Sequence, residues 1–210
     1  AIVLSNLLTV VYPFQLDLTK DKRYTLGDTS KQIVQGVQNP IKIHLYLGGD
    51  LPLEYQKLSV ATIEVLRKIV GENKENISWQ LDLPHQEYSD TSLIKVYDSL
   101  SSMGLPVERV QSDVSKIDQR IDQLIIPGIL IEMPGKTPIA IDLRTGKKYY
   151  KPYNIVKDIP EEDKDASLNA ASSLLEFKIV QGIYYLNRTT VPTIGYLIGN
   201  GEPVDLTVNE

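Results

Sequence analysis

Segments with the two-residue period of strands alternate along this chain with segments that have the period of helices. The stretch IKIHLYL, residues 41–47, places an apolar residue at every second position, as a half-buried strand does. A helical pattern follows from about Glu54 to Val70, and ISWQLDL, residues 77–83, is a second strand-like segment. Strands separated by helices are typical of a sheet covered by helices, so this order predicts an α/β domain.

Three more elements flank this pair of strands. A short helix is predicted after Asp28 or Thr29, either of which can cap it, and Pro40 lies just beyond its end. A further helix is expected from Asp90, whose side chain can cap it, and PVERVQS, residues 106–112, predicts a third strand. The chain therefore continues to alternate between the two periods.

The segment LIIPGILIEMPGKTPIAIDL, residues 124–143, predicts a β-hairpin, because two apolar runs flank a Pro-Gly pair that fits a tight turn. Pro127 has no amide proton to donate, so it is expected at the start or the edge of the first strand, and a cis peptide bond before it is one option. One long helix is expected from about Ser167 to Asn187, followed by a strand in the C-terminal residues.

Composition excludes several classes of function. The 210 residues contain no cysteine, so disulfide exchange and thiolate metal sites are excluded. The 22 Lys and Arg residues are interspersed with 27 Asp and Glu residues, whereas a duplex-binding domain shows a clustered basic face, so no nucleic-acid partner is expected. His44 and His85 form no metal-binding motif, and we expect neither a metal nor a cofactor. The acidic runs SKIDQRIDQ and PEEDKD are interpreted as solvated faces.

Two loops are the candidate contact surfaces. The first follows the first strand, and the second lies within a stretch of more than 20 residues without a period, RTGKKYYKPYNIVKDIPEEDKDA. Tyrosine combines apolar area with a polar tip, so exposed tyrosine clusters are typical of interfaces. The alternative is that the second loop folds back on its own domain. The candidate partner-binding residues are Gly48, Gly49, Asp50, Leu51 and Pro52 in the first loop, and Lys147, Lys148, Tyr149, Tyr150 and Tyr153 in the second.

The first residues differ in character from the rest of the chain. Ala1–Tyr12 is apolar but shorter than the roughly 20 residues that a membrane-spanning helix needs. The charged stretch DLTKDKRYTL, residues 17–26, follows it. Two interpretations remain open: the apolar run is a buried strand or helix of the fold, or it is the end of a membrane helix that begins upstream.

The charged stretch carries a resemblance to a known family. Asp17-Leu18-Thr19 and the stretch KRYTL, residues 22–26, resemble the GldG family, the gliding-motility-associated auxiliary component of an ABC-type transport system. The similarity continues through IKIHLYLGGDLPLEYQKL, IIPGILIEMPGK, LNAASSLLEFKIVQGIYYL and PTIGYLIGNGE, so it spans nearly the whole chain. It implies a membrane-anchored subunit of the bacterial inner membrane whose domain faces the periplasm.

The resemblance also implies partners and a place for the first residues. The expected partners are the membrane subunit of the transporter and other envelope proteins. The N-terminal helix would hold the chain in the membrane. The charged stretch would then be the exit from the bilayer, because charged residues at the bilayer centre cost about 2.5–3.5 kcal/mol each. The residues expected at the membrane surface are Tyr12, Lys20, Lys22, Arg23 and Tyr24.

The order of elements also resembles the thioredoxin-like fold, in which a proline precedes the first hairpin strand, as Pro127 does here. The expected organisation is a membrane-proximal segment over residues 1–26, a thioredoxin-like α/β domain without catalytic cysteines over residues 27–189, and either a C-terminal strand or the start of a second domain over residues 190–210. Fold alone does not fix function.

We therefore expect a non-enzymatic domain that acts through contact with partner proteins or a cargo. One alternative is a small-molecule binder or cysteine-free enzyme that uses the Gly48–Pro52 loop, with His44 and Asp50 nearby. Another is a structural scaffold that forms homo-oligomers through self-association.

Overall fold

The computed structural model describes residues 25–84, 90–112, 121–152, 160–190 and 193. The elements in chain order are α1 (Asp28–Gln35), β1 (Ile41–Leu45), α2 (Leu53–Glu72), β2 (Ile77–Leu81), α3 (Asp90–Ser102), β3 (Glu108–Ser112), β4 (Ile121–Ile125), β5 (Gly128–Glu132), β6 (Ile139–Asp142), α4 (Lys164–Ser172) and α5 (Leu175–Asn187). The α/β class predicted from the alternating periods is confirmed.

Six strands form two sheets in the described part of the chain. The larger sheet has the order β2-β1-β5-β6, in which β1 is parallel to β2 and antiparallel to β5, and β6 is antiparallel to β5. Ile43 of β1 lies opposite Trp79 of β2 and Ile131 of β5. The smaller sheet pairs β3 with β4 in antiparallel fashion. Strand β1 is therefore central and paired on both sides.

The main core lies on one face of the larger sheet. Ile41, Ile43 and Leu45 of β1 point to this face and are almost completely buried. They belong to one apolar cluster with residues of α2 and α5, among them Leu66 and Ile183. Burial of each such side chain contributes about 1.5–3 kcal/mol, so this face supplies much of the stability.

Helix α3 covers part of the opposite face. Its Tyr97 and Leu100 are buried together with Leu130 of β5, and Tyr46 and Ala140 pack against them. The side of α3 that carries Tyr97 and Leu100 thus packs on the sheet face opposite the main core, next to Tyr46, Leu130 and Ala140.

The predicted hairpin is formed by β5 and β6, and its turn has the expected chemistry. The amide of Lys136 donates to the carbonyl of Met133 over 3.1 Å, and Gly135 has φ +77°. A positive φ at the third turn position after proline defines a type II turn, which favours glycine there. Pro127 immediately precedes β5, as predicted, and the described residues contain no cis peptide bond.

Two predictions about helix ends are wrong. Neither Asp28 nor Thr29 caps α1: the N-cap residue is Gly27, which has no side chain to cap with and whose amide donates to Glu176 Oε1 over 2.9 Å. Asp28 lies in the first turn instead, where its negative charge interacts favourably with the positive end of the helix dipole. The last helix also begins earlier than expected, because Asp163 caps α4 by accepting a 3.1 Å hydrogen bond from the amide of Ala166.

The single helix predicted over residues 167–187 is two helices, α4 and α5. The hydroxyls of Ser172 and Ser173 donate to the carbonyls three residues before them, over 2.7 Å each. The amide of Leu174 bonds the carbonyl of Ala171, also three residues back. Local bonds of this kind compete with the helical ladder and end α4.

Part of the acidic run interpreted as solvated is a strand. Ile121–Ile125 forms β4, which pairs with β3, so Leu124 and Ile125 belong to this second sheet and not to the predicted hairpin. Ile126 and Pro127 separate the two strands. The third predicted strand therefore exists, but its pairing could not be seen from the period alone.

The predictions for both chain ends fall outside the described residues. This applies to Ala1–Tyr12, to the membrane-proximal Tyr12, Lys20, Lys22, Arg23 and Tyr24, and to the C-terminal strand. Over the residues that the structure does describe, no helix is both long and apolar enough to cross a membrane.

Replacement of Gly135 by alanine should lower the free energy of unfolding by about 1–2 kcal/mol, because an L-residue is strained at positive φ. No atom lies within 4 Å of the added methyl group, so the effect comes from the backbone alone. Gly71→Ala, an equally open position inside α2, is the matched control and should raise stability by up to about 1 kcal/mol. Urea unfolding of both variants checks the prediction, and a shift of the same sign in both would contradict it.

Candidate functional site

The predicted tyrosine and lysine loop is held in place through its backbone. The amide of Lys151 donates to the carbonyl of Glu161 over 2.9 Å, and the amide of Asp163 donates to the carbonyl of Tyr149 over 2.8 Å. The amide of Tyr149 donates to the buried hydroxyl of Ser167 over 2.9 Å. Residues 147–151 and 161–163 thus lie side by side in a short paired structure, here named the tyrosine ribbon.

The side chains of the tyrosine ribbon point outward. Tyr149 and Tyr150 are 40% and 56% exposed. The ammonium of Lys147 lies 4.9 Å from the ring centre of Tyr149, a cation–π contact. Lys148 and Lys151 form ion pairs with carboxylates of the opposite half of the ribbon. The loop therefore does fold back on its own domain through its backbone, yet it presents two tyrosine rings to solvent.

Tyr153 was predicted as part of the same surface, and it lies outside the described residues.

A network of charged side chains lies beneath the ribbon. Glu108, the first residue of β3, accepts hydrogen bonds from the Tyr55 hydroxyl (2.6 Å), from Arg144 Nη1 (2.7 Å) and from Lys164 Nζ (3.0 Å). Arg144 also donates two bonds to Asp142, over 2.8 and 3.1 Å. Such bidentate pairs are geometrically specific. The network therefore joins α2, β3, β6 and α4 at one point.

The environment of this network shifts the acidity of its members. Burial raises the pKa of Glu108, but hydrogen bonds from Tyr55, Lys164 and Arg144 outweigh it and hold the pKa below its usual 4.5. Burial, followed by the bond to Glu108, raises the pKa of Tyr55. The network borders a cavity of about 360 Å³, which Lys148 and other residues of the ribbon also line. The charged groups in it are mostly bonded to one another, which favours a supporting role.

The Gly48–Pro52 loop is only partly available for contact. Gly49 and Asp50 are exposed, whereas Leu51 is 6% exposed and belongs to the main core. A Cβ atom at Gly48 would lie 2.8 Å from Cδ1 of the half-exposed Leu81, so a side chain there would displace the end of the Leu81 side chain. Leu51 therefore stabilises the loop and cannot serve as a contact residue on an intact surface.

A cavity of about 200 Å³ adjoins this loop at the carboxyl ends of the parallel strands. Its lining includes Gly48 and Asp50 of the loop, Tyr46 of the preceding segment, and Leu93 and Tyr97 of α3. Open α/β sheets commonly bind ligands at this end. The cavity brings one predicted loop together with residues that the sequence did not associate with it.

His44 is not part of the lining of that cavity. Its Nδ1 lies 2.5 Å from an oxygen of Asp82, and its Nε2 lies 3.6 Å from an oxygen of Glu132. The Nε2 atom is buried and has no hydrogen-bond partner in the described part of the chain. The predicted grouping of His44 with Asp50 is thus replaced by a grouping with Asp82. The alternation of β2 puts Gln80, and Asp82 after it, on the face of His44, so the sequence did contain this signal.

The outer side of α5 carries aromatic residues that sequence reasoning missed. Phe177, Tyr184 and Tyr185 are 64%, 50% and 42% exposed. The guanidinium of Arg188 lies 4.7 Å from the ring centre of Tyr185. The spacing of these residues follows the helical period on the side opposite the buried Ile179, which is a signal that the sequence does show.

Comparison with known proteins gives one match. A family model described as "Domain of unknown function (DUF7088)" matches residues 20–132, from the charged stretch to the end of β5. No curated protein and no solved structure matches the chain. The relation to the GldG family and to the thioredoxin-like fold therefore stays a prediction.

Replacement of Glu108 by glutamine should lower the free energy of unfolding by about 1–2 kcal/mol at pH 7, because it removes the charge that three donors share. The pKa of Glu108 is lower in the folded state than its usual 4.5, so its ionised form stabilises the fold above that pH. This contribution is lost as the pH falls through the folded-state pKa.

Urea unfolding of wild type and variant at pH 7 and about pH 3 checks this prediction, and the difference between them should shrink at the lower pH. Glu64→Gln, at an exposed position of α2, is the control and should show a small, nearly constant difference. A difference for Glu108→Gln that does not change with pH would contradict the assignment.

Proposed function

The chain belongs to the DUF7088 family, and on that premise we propose that its α/β domain acts by contact with partner proteins and not by catalysis. In this proposal the domain is the periplasm-facing part of a membrane-anchored accessory subunit of an ABC-type transport system linked to gliding motility. The resemblance of the chain to the GldG family supports this setting. The partners are then the membrane subunit of the transporter and other envelope proteins.

The tyrosine ribbon is the observation that carries the proposal. The backbone that carries its two exposed tyrosines is fixed by hydrogen bonds between the two halves of the ribbon and by a hydrogen bond to Ser167. A preordered surface loses little conformational entropy when it binds, and each tyrosine can bury on the order of 150–250 Å². The exposed rings thus combine a large contact area with a low ordering cost.

The charges around these rings favour selective contact. The pairs Lys148–Glu162 and Lys151–Glu161 give the ribbon alternating charges with little net charge. Charged groups at the rim of an interface contribute to partner selection and orientation more than to affinity. Aromatic rings surrounded by balanced charges are therefore suited to one partner surface.

The double variant Tyr149→Ser/Tyr150→Ser should reduce recovery of the membrane complex by roughly tenfold or more, because tyrosines at the centre of an interface commonly contribute over about 2 kcal/mol. The tagged full chain is isolated from solubilised native membranes, and the proteins that come with it are measured by quantitative mass spectrometry.

Tyr184→Ser/Tyr185→Ser provides a matched control, since these tyrosines are similarly exposed but lie on α5. Recovery should be unchanged in this variant. Equal recovery with wild type and the ribbon variant would remove the ribbon from the proposal.

A small-molecule binding function is the second candidate, and the cavity beside the Gly48–Pro52 loop favours it. A ligand there would meet the Asp50 carboxylate together with apolar and aromatic walls, which suits an amine or a hydroxyl compound with an apolar body. A compound that raises the melting temperature of wild type but not of Asp50→Asn would support this candidate. A library screen in which every hit acts equally on both proteins would count against it.

A further inference from the structure

The face of the larger sheet opposite the main core is only half covered by the described residues. Helix α3 covers the half near Tyr46 and Leu130. On the other half, Lys42 of β1 lies directly opposite Ser78 of β2 and Glu132 of β5. Directly paired residues of neighbouring strands point to the same face. The register therefore creates a polar floor at the end of the sheet where β1 and β2 begin.

Two turns enclose this floor and form a groove. On one side is the turn from Met133 to Lys136, and on the other is the segment from Lys74 to Asn76. The groove has a volume of about 580 Å³ and is open to solvent. Three prolines, Pro40, Pro134 and Pro138, are also among its lining residues. We name this feature the lysine groove, after Lys42, Lys74 and Lys136.

Both walls of the lysine groove are rigid. The type II turn with Gly135 fixes one of them. In the other, the side-chain amides of Asn73 and Asn76 donate to the carbonyl of Val37 over 3.0 Å each. A groove with fixed walls exists before any partner arrives, so it needs no reorganisation to bind one.

The three lysines have no side-chain partners among the described residues. Six other basic side chains of the domain do form ion pairs with carboxylates: Lys31, Lys57, Arg144, Lys148, Lys151 and Lys164. Lys42, Lys74 and Lys136 are exposed, and in the part of the chain that the structure describes their side chains take part in no hydrogen bond or ion pair.

The carboxylates of the groove compensate these charges only in part. Glu75 and Glu132 also line the groove, and the carboxylate of Glu132 approaches His44 Nε2. Three lysines against two glutamates leave the groove with one excess positive charge, in a chain whose net charge is −5.

We propose that the lysine groove binds an extended, acidic segment of a partner protein. Its carboxylates would pair with the three lysines, and its apolar side chains would contact the three prolines. A small anion is disfavoured, because small-molecule sites enclose most of their ligand and this groove is wide open. A nucleic acid is disfavoured, because a phosphate backbone is bound by a clustered basic face and the groove carries only one excess positive charge. This surface is distinct from the tyrosine ribbon and does not depend on it.

Peptide binding to the full chain tests the proposal directly. The probe is a fluorescein-labelled peptide of about twelve residues in which Glu alternates with Val, since an extended segment presents alternate side chains to a groove. A matched peptide carries Gln in place of every Glu. Fluorescence anisotropy at low salt should show binding of the acidic peptide, weaker binding of the Gln peptide, and loss of affinity as salt rises.

The variant Lys42→Gln/Lys74→Gln/Lys136→Gln should bind the acidic peptide roughly tenfold more weakly, as three exposed charge pairs are removed. The control variant Arg67→Gln/Lys95→Gln/Arg109→Gln removes the same charge at exposed positions outside the groove, and it should bind as wild type does. Replacement of the three groove lysines by glutamate should transfer the preference to a peptide in which Lys alternates with Val.

Three outcomes would overturn the proposal. One is equal affinity of wild type and the groove variant for the acidic peptide. Another is no binding of that peptide at concentrations up to about a millimolar, the weak end of specific recognition. The third is lysine-dependent binding of inorganic phosphate or of duplex DNA without binding of the acidic peptide.

Discussion

The pairing of β1 on both of its sides is the constraint on which the other features depend. Because side chains alternate along a strand, the register with β2 and β5 sends Ile41, Ile43 and Leu45 to the main core. The same register sends Lys42 and His44 to the opposite face. A slip of one residue would place these two polar side chains under α2 and α5 and expose the three apolar ones, so burial of the core enforces the register. The grouping of His44 with Asp82 and the floor of the lysine groove are then consequences of core packing.

A second constraint attaches the smaller sheet. Two strands alone are marginally stable in water, so β3 and β4 need contacts with the rest of the domain. Val110 and Ile125 supply apolar contact with the main core, and Glu108 supplies the polar contact. The donors to Glu108 include Arg144 and Lys164, which lie on either side of the tyrosine ribbon in the chain. The network that fixes the smaller sheet therefore also fixes the base of the ribbon.

Local patterns in the sequence predicted those elements whose cause is local. Three such elements can be recognised from a few neighbouring residues each: the alternation in residues 41–47, the long apolar stripe of α2 and the Pro-Gly turn of the hairpin. The sequence does not predict the break before α5, because the helical period of apolar residues continues on both sides of Ser172 and Ser173. The bonds from their hydroxyls to backbone carbonyls interrupt the helical hydrogen bonds and do not change that period. Strand β4 was missed because its partner lies in another segment of the chain.

The candidate site was predictable to a similar extent. Tyr149 and Tyr150 were singled out from composition, and the structure places both at the surface. The pairing that orders them involves backbone groups and Ser167, which leave no period in the sequence. The Glu108 network joins residues from four separate segments, so only the folded chain reveals it. By contrast, the exposed side of α5 follows the helical period and could have been found.

The strand directions determine how these surfaces lie relative to one another. Strand β6 runs parallel to β1, because β5 is antiparallel to both. The ribbon follows β6, and the Gly48–Pro52 loop follows β1, so both lie at the end of the sheet where these strands finish. The lysine groove lies at the end where β1 begins, one strand length away, or about 16 Å for the five residues of β1. A partner on the ribbon would therefore leave the groove free, and the paired sheet between them would hold the two contacts at a fixed separation.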